Sequence, residues 1–284
     1  MGGPGQLVLD LEVEAHLWLT RVASDKDPSL LSAWRDLLSE EERERQGTFL
    51  LEEARCQYLA AWALARTSLS RYADIEPQDW RFQRGKYGRP EIVSPSGAAA
   101  DGSPGALIAA HGSPPLRFNL SHSGGLVACL VTLGVDVGVD VESTQRDLDM
   151  VRLAARFFSP EEAGVVRSLA GPEQRERFFA YWTLKEAYLK ACGRGLSIPL
   201  RQVSFRLAPD DTIGVHFDAT LEEHDDDWQF EVLRPSRNHL LAAAIRRSQA
   251  LGNRHHLSIV AREAVPLVGE ARGRALPVVA STPR

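Results

Sequence analysis

With 284 residues, 44% hydrophobic and 25% charged, the chain has the composition of a folded protein with room for one large domain or two lobes, which excludes wholesale disorder. Its formal net charge of −5 excludes a general nucleic-acid binder, whose surface must be basic to neutralise phosphates. Three cysteines, Cys56, Cys129 and Cys192, without CxxC spacing exclude a disulfide framework and a zinc site; with no secretion signal and no long apolar run, the expectation is a cytoplasmic protein that binds neither nucleic acid nor membrane.

In chain order, the first helical pattern opens at Asp27-Pro28. Asp27 suits the cap and Pro28 the first turn, and Leu30, Leu31, Trp34, Leu37 and Leu38 follow at helical spacing. A longer helix is expected from Glu52 through Tyr72, with Tyr58, Leu59, Trp62, Ala63, Leu64 and Leu69 on a buried face and Arg55 and Arg66 outward. Residues 94–115, rich in Gly, Ala, Ser and Pro, read as a flexible surface loop. No internal repeat is visible by residue identity.

Phe118-Asn119-Leu120-Ser121-His122-Ser123-Gly124-Gly125 reads as a polar loop leading into a buried strand, Leu126 to Leu133. Ser121 and Ser123 offer hydroxyls, the glycines allow close backbone approach, and His122 can donate to a phosphate, although a Ser-His pair by itself equally describes a turn. The following Val135-Asp136-Val137-Gly138-Val139-Asp140-Val141-Glu142 alternates, which puts four valines on a core face and Asp136, Gly138, Asp140 and Glu142 on the other. Alternate residues of a strand lie about 7 Å apart, so Asp140 and Glu142 can converge on one hard cation; a hydrated acidic edge strand is the competing reading.

A strong helix spans Phe178 to Lys190, with Trp182, Glu186 and Lys190 on one face and Gly193 and Gly195 ending it. Taken alone, Glu186 and Lys190 read as a surface salt bridge. The acidic run 222–227 reads as a solvated turn. Residues 249–284 read as a partly disordered tail with room for a short strand at Leu257 to Val260.

Together these segments resemble the surfactin-type (Sfp-like) 4′-phosphopantetheinyl transferases. The resemblance runs from about Leu38 to Ile245 and rests on four blocks in order: Tyr87-Gly88-Arg89-Pro90, Phe118 to Ser123, Val137 to Glu142, and Trp182 to Lys190. Phe157 to Glu162 and Gly193 to Ser197 also match the family's pattern. Two departures stand out: Arg89 replaces the usual lysine, and Gln57 replaces an arginine common on the long helix.

The resemblance implies an α+β fold of two similar lobes related by a pseudo-twofold, each a small antiparallel sheet packed on a long helix, with coenzyme A in the cleft. Here the lobes would be 1–134 and 135–248, with 249–284 as tail; a chain carrying both halves would be monomeric. The implied reaction moves phosphopantetheine from coenzyme A to a serine of an acyl or peptidyl carrier protein and releases 3′,5′-ADP. Asp140, Glu142 and Glu186 would hold magnesium, with manganese the alternative. Lys190 would contact the pyrophosphate, Arg45, Ser121 and His122 the phosphates, and Arg84 and Arg89 the nucleotide. Glu186 would be the general base, and Lys185 would help neutralise the transition state. Two alternatives are a non-catalytic carrier-binding homologue and another magnesium-dependent phosphoryl-transfer enzyme.

Overall fold

A computed structural model describes residues 13–22, 27–93, 115–247, 256–270, 273 and 275–283; the expected flexible loop, apart from Pro115, lies outside the described residues. In chain order the elements are β1 (Glu14–Arg21), α1 (Pro28–Asp36), α2 (Glu40–Gly47), α3 (Glu52–Leu69), β2 (Arg81–Arg84), β3 (Pro90–Val93), β4 (Leu116–Ser123) and β5 (Leu126–Leu133). Then come β6 (Val137–Ser143), α4 (Met150–Phe157), α5 (Pro160–Ser168), α6 (Gly171–Cys192), β7 (Val203–Leu207), β8 (Ile213–Phe217), β9 (Trp228–Ser236) and β10 (His239–Arg246). The last strands are β11 (Ser258–Val265), β12 (Gly269–Glu270) and β13 (Val278–Ser281).

Two compact units result: unit 1 takes residues 1–85, 89–134 and 257–275, and unit 2 takes 86–88, 135–256 and 276–284. The main division falls between Gly134 and Val135. Within 249–284, expected as a partly disordered tail with room for a short strand at Leu257 to Val260, the described residues include three strands. β11 pairs in parallel with β1, from Glu14 opposite Ser258 to Leu19 opposite Glu263, and β13 pairs with β9. Backbone pairing and apolar burial of Ala261, Ala264 and Ala280 hold these segments, and neither signal is legible in a short Ala/Arg/Val-rich run.

The unit 1 sheet has the order β12-β11-β1-β5-β4, and α3 packs on β1, β4 and β5. It is therefore mixed, not wholly antiparallel, because of β11. The unit 2 sheet, β13-β9-β10-β6, is antiparallel throughout, and α6 packs on β6, β9 and β10. Separate cores fill the two units: Trp18, Trp34, Trp62 and Trp80 anchor the first, and Phe178, Tyr188, Trp228 and Phe230 the second. Among the described residues no helix is long and apolar enough to cross a membrane.

Local chemistry sets the helix ends. Asp27 caps α1 by accepting from Ser29 N, with Pro28 in the first turn. α2 and α5 each begin with a full capping box, Ser39 with Glu42 and Ser159 with Glu162. Gly193, with φ of 63°, ends α6 in the left-handed conformation.

The expected polar loop before β5 is itself a strand. Phe118 to Ser123 belongs to β4, and Gly124 and Gly125, with φ of 52° and 77°, make the two-residue hairpin turn. Arg66 also departs from its expected outward position: it is 1% exposed, and its guanidinium bonds Glu42 Oε2 at 2.7 Å and the carbonyls of Pro77 and Trp80. Helical periodicity cannot reveal a buried cation, because a partner distant in sequence makes that burial tolerable.

Candidate active site

In unit 2, β6 and α6 bring three carboxylates into one another's field. Gly138 permits this approach, since a Cβ there would lie 1.9 Å from the Ala187 carbonyl oxygen and 2.5 Å from the Ala191 nitrogen. Only a residue without a side chain lets the strand meet the helix backbone so closely. Gly138, Asp140 and Glu142 stand opposite Ala244, Ala242 and Leu240 of β10, all three of which belong to the core under α6. The acidic face of β6 is thus the helix-facing one. Val137, Val139 and Val141 on the other face are buried too, so the strand has two covered faces and not the single core face its alternation suggests.

Asp140 is buried, and its Oδ1 accepts from Lys190 Nζ at 2.7 Å; the same ammonium donates to the Val139 carbonyl at 3.1 Å. Arg146 Nη1 reaches both oxygens of Glu142, at 2.9 and 2.8 Å. Glu186, half-buried on α6, has its carboxyl pushed above the usual range by burial first and then by Asp140 and Glu142, while Lys190 pulls the other way. The side chains of Trp182, Glu186 and Lys190 form the half-buried face expected of α6, and Trp182 stacks on Phe178 at 5.8 Å.

An all-oxygen donor set of three carboxylates has the chemistry to hold a hard divalent cation, and the raised Glu186 carboxyl marks a place where added positive charge is favourable. Among the described residues, however, no three His, Cys, Asp or Glu side chains converge as a ready ligand group. Asp140 is turned toward Lys190 and Glu142 toward Arg146, so a cation would take over the charge balance that these two pairs now provide.

Lys185 does not take the place expected of it. It is 0% exposed; its ammonium pairs with Glu162 Oε2 at 2.7 Å and donates to the carbonyls of Leu200, at 2.9 Å, and Val203. Three acceptors use all three of its protons. Burial pushes its pKa down and Glu162 opposes that. Glu162 also accepts from Ser159 N and Phe205 N, so one carboxylate ties α5, α6 and β7 together. Neither Glu162 nor Arg146 is apparent as a site neighbour from the sequence, although Ser159-x-x-Glu162 is a readable capping box.

In unit 1, Arg45 and Arg84 line one cavity of about 710 Å³ together with Thr48, Tyr58, Trp62 and Phe82. The Arg45 guanidinium sits over the Phe49 ring, 5.5 Å from its centroid. Arg84 pairs with Pro90 across the β2–β3 ladder, whereas Arg89 is bonded to Glu91 at 3.3 Å. Ser121 and His122 cannot share a surface, because neighbours on a strand point to opposite faces. Ser121 is buried, while exposed His122 bonds through Nδ1 to Gln57 Oε1 at 2.9 Å. The departure at Gln57 thus has a definite local consequence: this residue holds the histidine.

The 4′-phosphopantetheinyl transferase superfamily matches residues 136–244, which run from the start of the acidic strand to β10. The 4′-phosphopantetheinyl transferase HetI of a Nostoc species is 35% identical over 206 residues, covering 72% of this chain and 79% of its own. The chain belongs to the 4′-phosphopantetheinyl transferase family. Within that family, 4′-phosphopantetheinyl transferase Sfp of Bacillus subtilis is 30% identical over 178 residues, covering 63% of this chain and 70% of its own. The human L-aminoadipate-semialdehyde dehydrogenase-phosphopantetheinyl transferase is 26% identical over 226 residues, covering 76% of this chain and 68% of its own.

Proposed function

We propose that the protein transfers the 4′-phosphopantetheine group of coenzyme A to a serine of an acyl or peptidyl carrier protein, with magnesium held by Asp140, Glu142 and Glu186. The observation that carries the reading is the closeness of Glu186 on α6 to Asp140 and Glu142 on β6, with Lys190 clasping Asp140. Acids beside a polyanionic substrate would repel it, and a bound divalent cation reverses that sign and polarises the phosphoryl group under attack.

The chain's own residues then have separate tasks. Glu186 takes the proton of the carrier serine as the serine oxygen attacks the β-phosphorus of coenzyme A. The new bond is serine Oγ to phosphorus; the bond that breaks joins that phosphorus to the bridging oxygen, and 3′,5′-ADP leaves with the electron pair. Lys190 neutralises pyrophosphate charge, while Arg45 and His122 bind the nucleotide's phosphates and Arg84 and Arg89 the nucleotide. Ser121, buried on β4, is the further phosphate contact of the proposal. Carriers of polyketide, non-ribosomal peptide or fatty-acid synthases are the expected acceptors.

Intact-mass measurement of an apo carrier incubated with the protein, coenzyme A and magnesium tests the reading. A gain of one phosphopantetheine that disappears with chelator and with Asp140→Ala is expected. No gain on carriers of all three kinds, with coenzyme A still bound, would remove it.

A further inference from the structure

The amide of Gln57 is held from two sides. Its Nε2 donates to Glu53 Oε1 at 2.9 Å, one turn earlier on α3, and its Oε1 lies 2.9 Å from His122 Nδ1 on β4. These contacts decide a proton position. The Glu53 carboxylate can only accept, so the NH2 end of the amide must face it and the amide oxygen must face the imidazole. That oxygen in turn can only accept, so Nδ1 of His122 must carry a proton.

We infer that Gln57, oriented by Glu53, is a positioning residue that fixes His122 as its Nδ1–H tautomer and aims Nε2 at an anionic oxygen of the substrate. The inference rests on the proposed transferase reading for the identity of that oxygen, the 3′-phosphate of coenzyme A. Gln57 is 8% exposed and sits in the core-facing part of α3, whereas His122 is exposed at the end of β4 beside the Gly124–Gly125 turn. A buried amide bonded to an exposed ring is the arrangement that orients an imidazole without neutralising it. Gln57 brings no charge of its own, so a protonated ring keeps its full charge for the phosphate; a carboxylate in the same place would compete for that charge. When Nε2 gains its proton, the Nδ1–H bond to Gln57 needs no rearrangement.

The test uses the full chain with ¹⁵N-labelled histidine, the His122 signal being identified by its loss in His122→Gln. Near neutral pH the neutral ring is expected as Nδ1–H in the parent protein and as a mixture with Nε2–H in Gln57→Leu. In the carrier assay, Gln57→Leu should raise KM for coenzyme A by about three- to tenfold with little change in kcat. It should also erase most of the preference for coenzyme A over 3′-dephospho-coenzyme A; Glu53→Gln should act in the same direction and more weakly. Gln57→Asn offers no rescue, because the shorter side chain cannot span both partners, whereas Gln57→Glu should keep the tautomer and lose phosphate preference. An Nε2–H ring in the parent protein, or a tautomer indifferent to Gln57→Leu, overturns the inference. So does a shifted tautomer with an unchanged preference for the 3′-phosphate. Failure of the transferase reading shows elsewhere, as absence of transfer by the parent protein on every carrier.

Discussion

Units 1 and 2 run through the same order of parts: a strand, three helices, a short hairpin, and a second hairpin whose later strand pairs with the first strand. The likeness reaches single residues. Capping-box glutamates Glu42 and Glu162 each pair with a buried cation on the long helix, Arg66 and Lys185. Burial lowers the pKa of both cations while the glutamate opposes the shift. Register aligns the first strands as well: Trp18 stands opposite Cys129, the fourth residue of β5, and Asp140 opposite Ala242, the fourth residue of β10.

At that aligned position the units diverge. Arg71, five residues beyond Arg66, lies over the Trp18 ring at 4.9 Å, while Lys190, five residues beyond Lys185, bonds the Asp140 carboxylate. Thr67 follows Arg66 where Glu186 follows Lys185. What both units keep holds the fold, and what only unit 2 has carries the acids. The buried lysine belongs with the first group, since Arg66, its counterpart in unit 1, makes the same kind of pair.

The largest effect that would sharpen this contrast is on turnover. Glu186→Gln should lower kcat by about 10²–10⁴-fold in the carrier assay, while Thr67→Ala in the aligned place should leave it within about twofold. Near-normal turnover by Glu186→Gln would erase the functional difference between the units. For stability the units should instead behave alike: Lys185→Met and Arg66→Met should each cost about 3–5 kcal/mol in denaturant unfolding, because each strands a buried glutamate. Adding Glu162→Gln to Lys185→Met should recover much of the loss. A Lys185→Met protein of normal stability but without activity would return that lysine to the reaction.

Gly138→Ala should cost about 1–3 kcal/mol or more and reduce turnover with it, because the methyl group has no room against the α6 backbone. A smaller effect has a definite sign with pH. The Glu186 carboxyl is raised in the folded state, so its contribution to stability is fully present below its unfolded pKa and is lost as pH rises through the raised value. Without a divalent cation, Glu186→Gln should therefore melt higher than the parent protein at neutral pH, and the gap should close as pH falls into the ordinary carboxylate range. Thermal unfolding in chelator at several pH values would check it. Smallest of all, Ser39→Ala and Ser159→Ala should each cost about 1 kcal/mol, by similar amounts in the two units.

Much of the site was legible before the fold was known, for local reasons. Asp140 and Glu142 share a strand face and Glu186 and Lys190 a helix face, as two simple periodicities require. Burial and pairing were less legible. Arg66 read as outward and Lys185 as reactive because no window around either contains its partner: Glu42 lies 24 residues from Arg66, and Glu162 precedes Lys185 by more than six helical turns. Likewise, Ser121 and His122 read as one polar group until β4 placed them on opposite faces.

By itself the sequence determined the helix cap at Asp27, the alternation of β6, the acidic and basic residues of α6 and the order of blocks that places the chain in its family. These are properties of neighbouring residues, and spacing along the chain is enough to set them. Only the tertiary structure decided which face of β6 meets α6, that β11 completes the first sheet by pairing with β1, that Lys185 is enclosed, and that Gln57 orients His122. Each of these depends on a contact between residues far apart in sequence, where desolvation and hydrogen-bond geometry, rather than periodicity, select the partner.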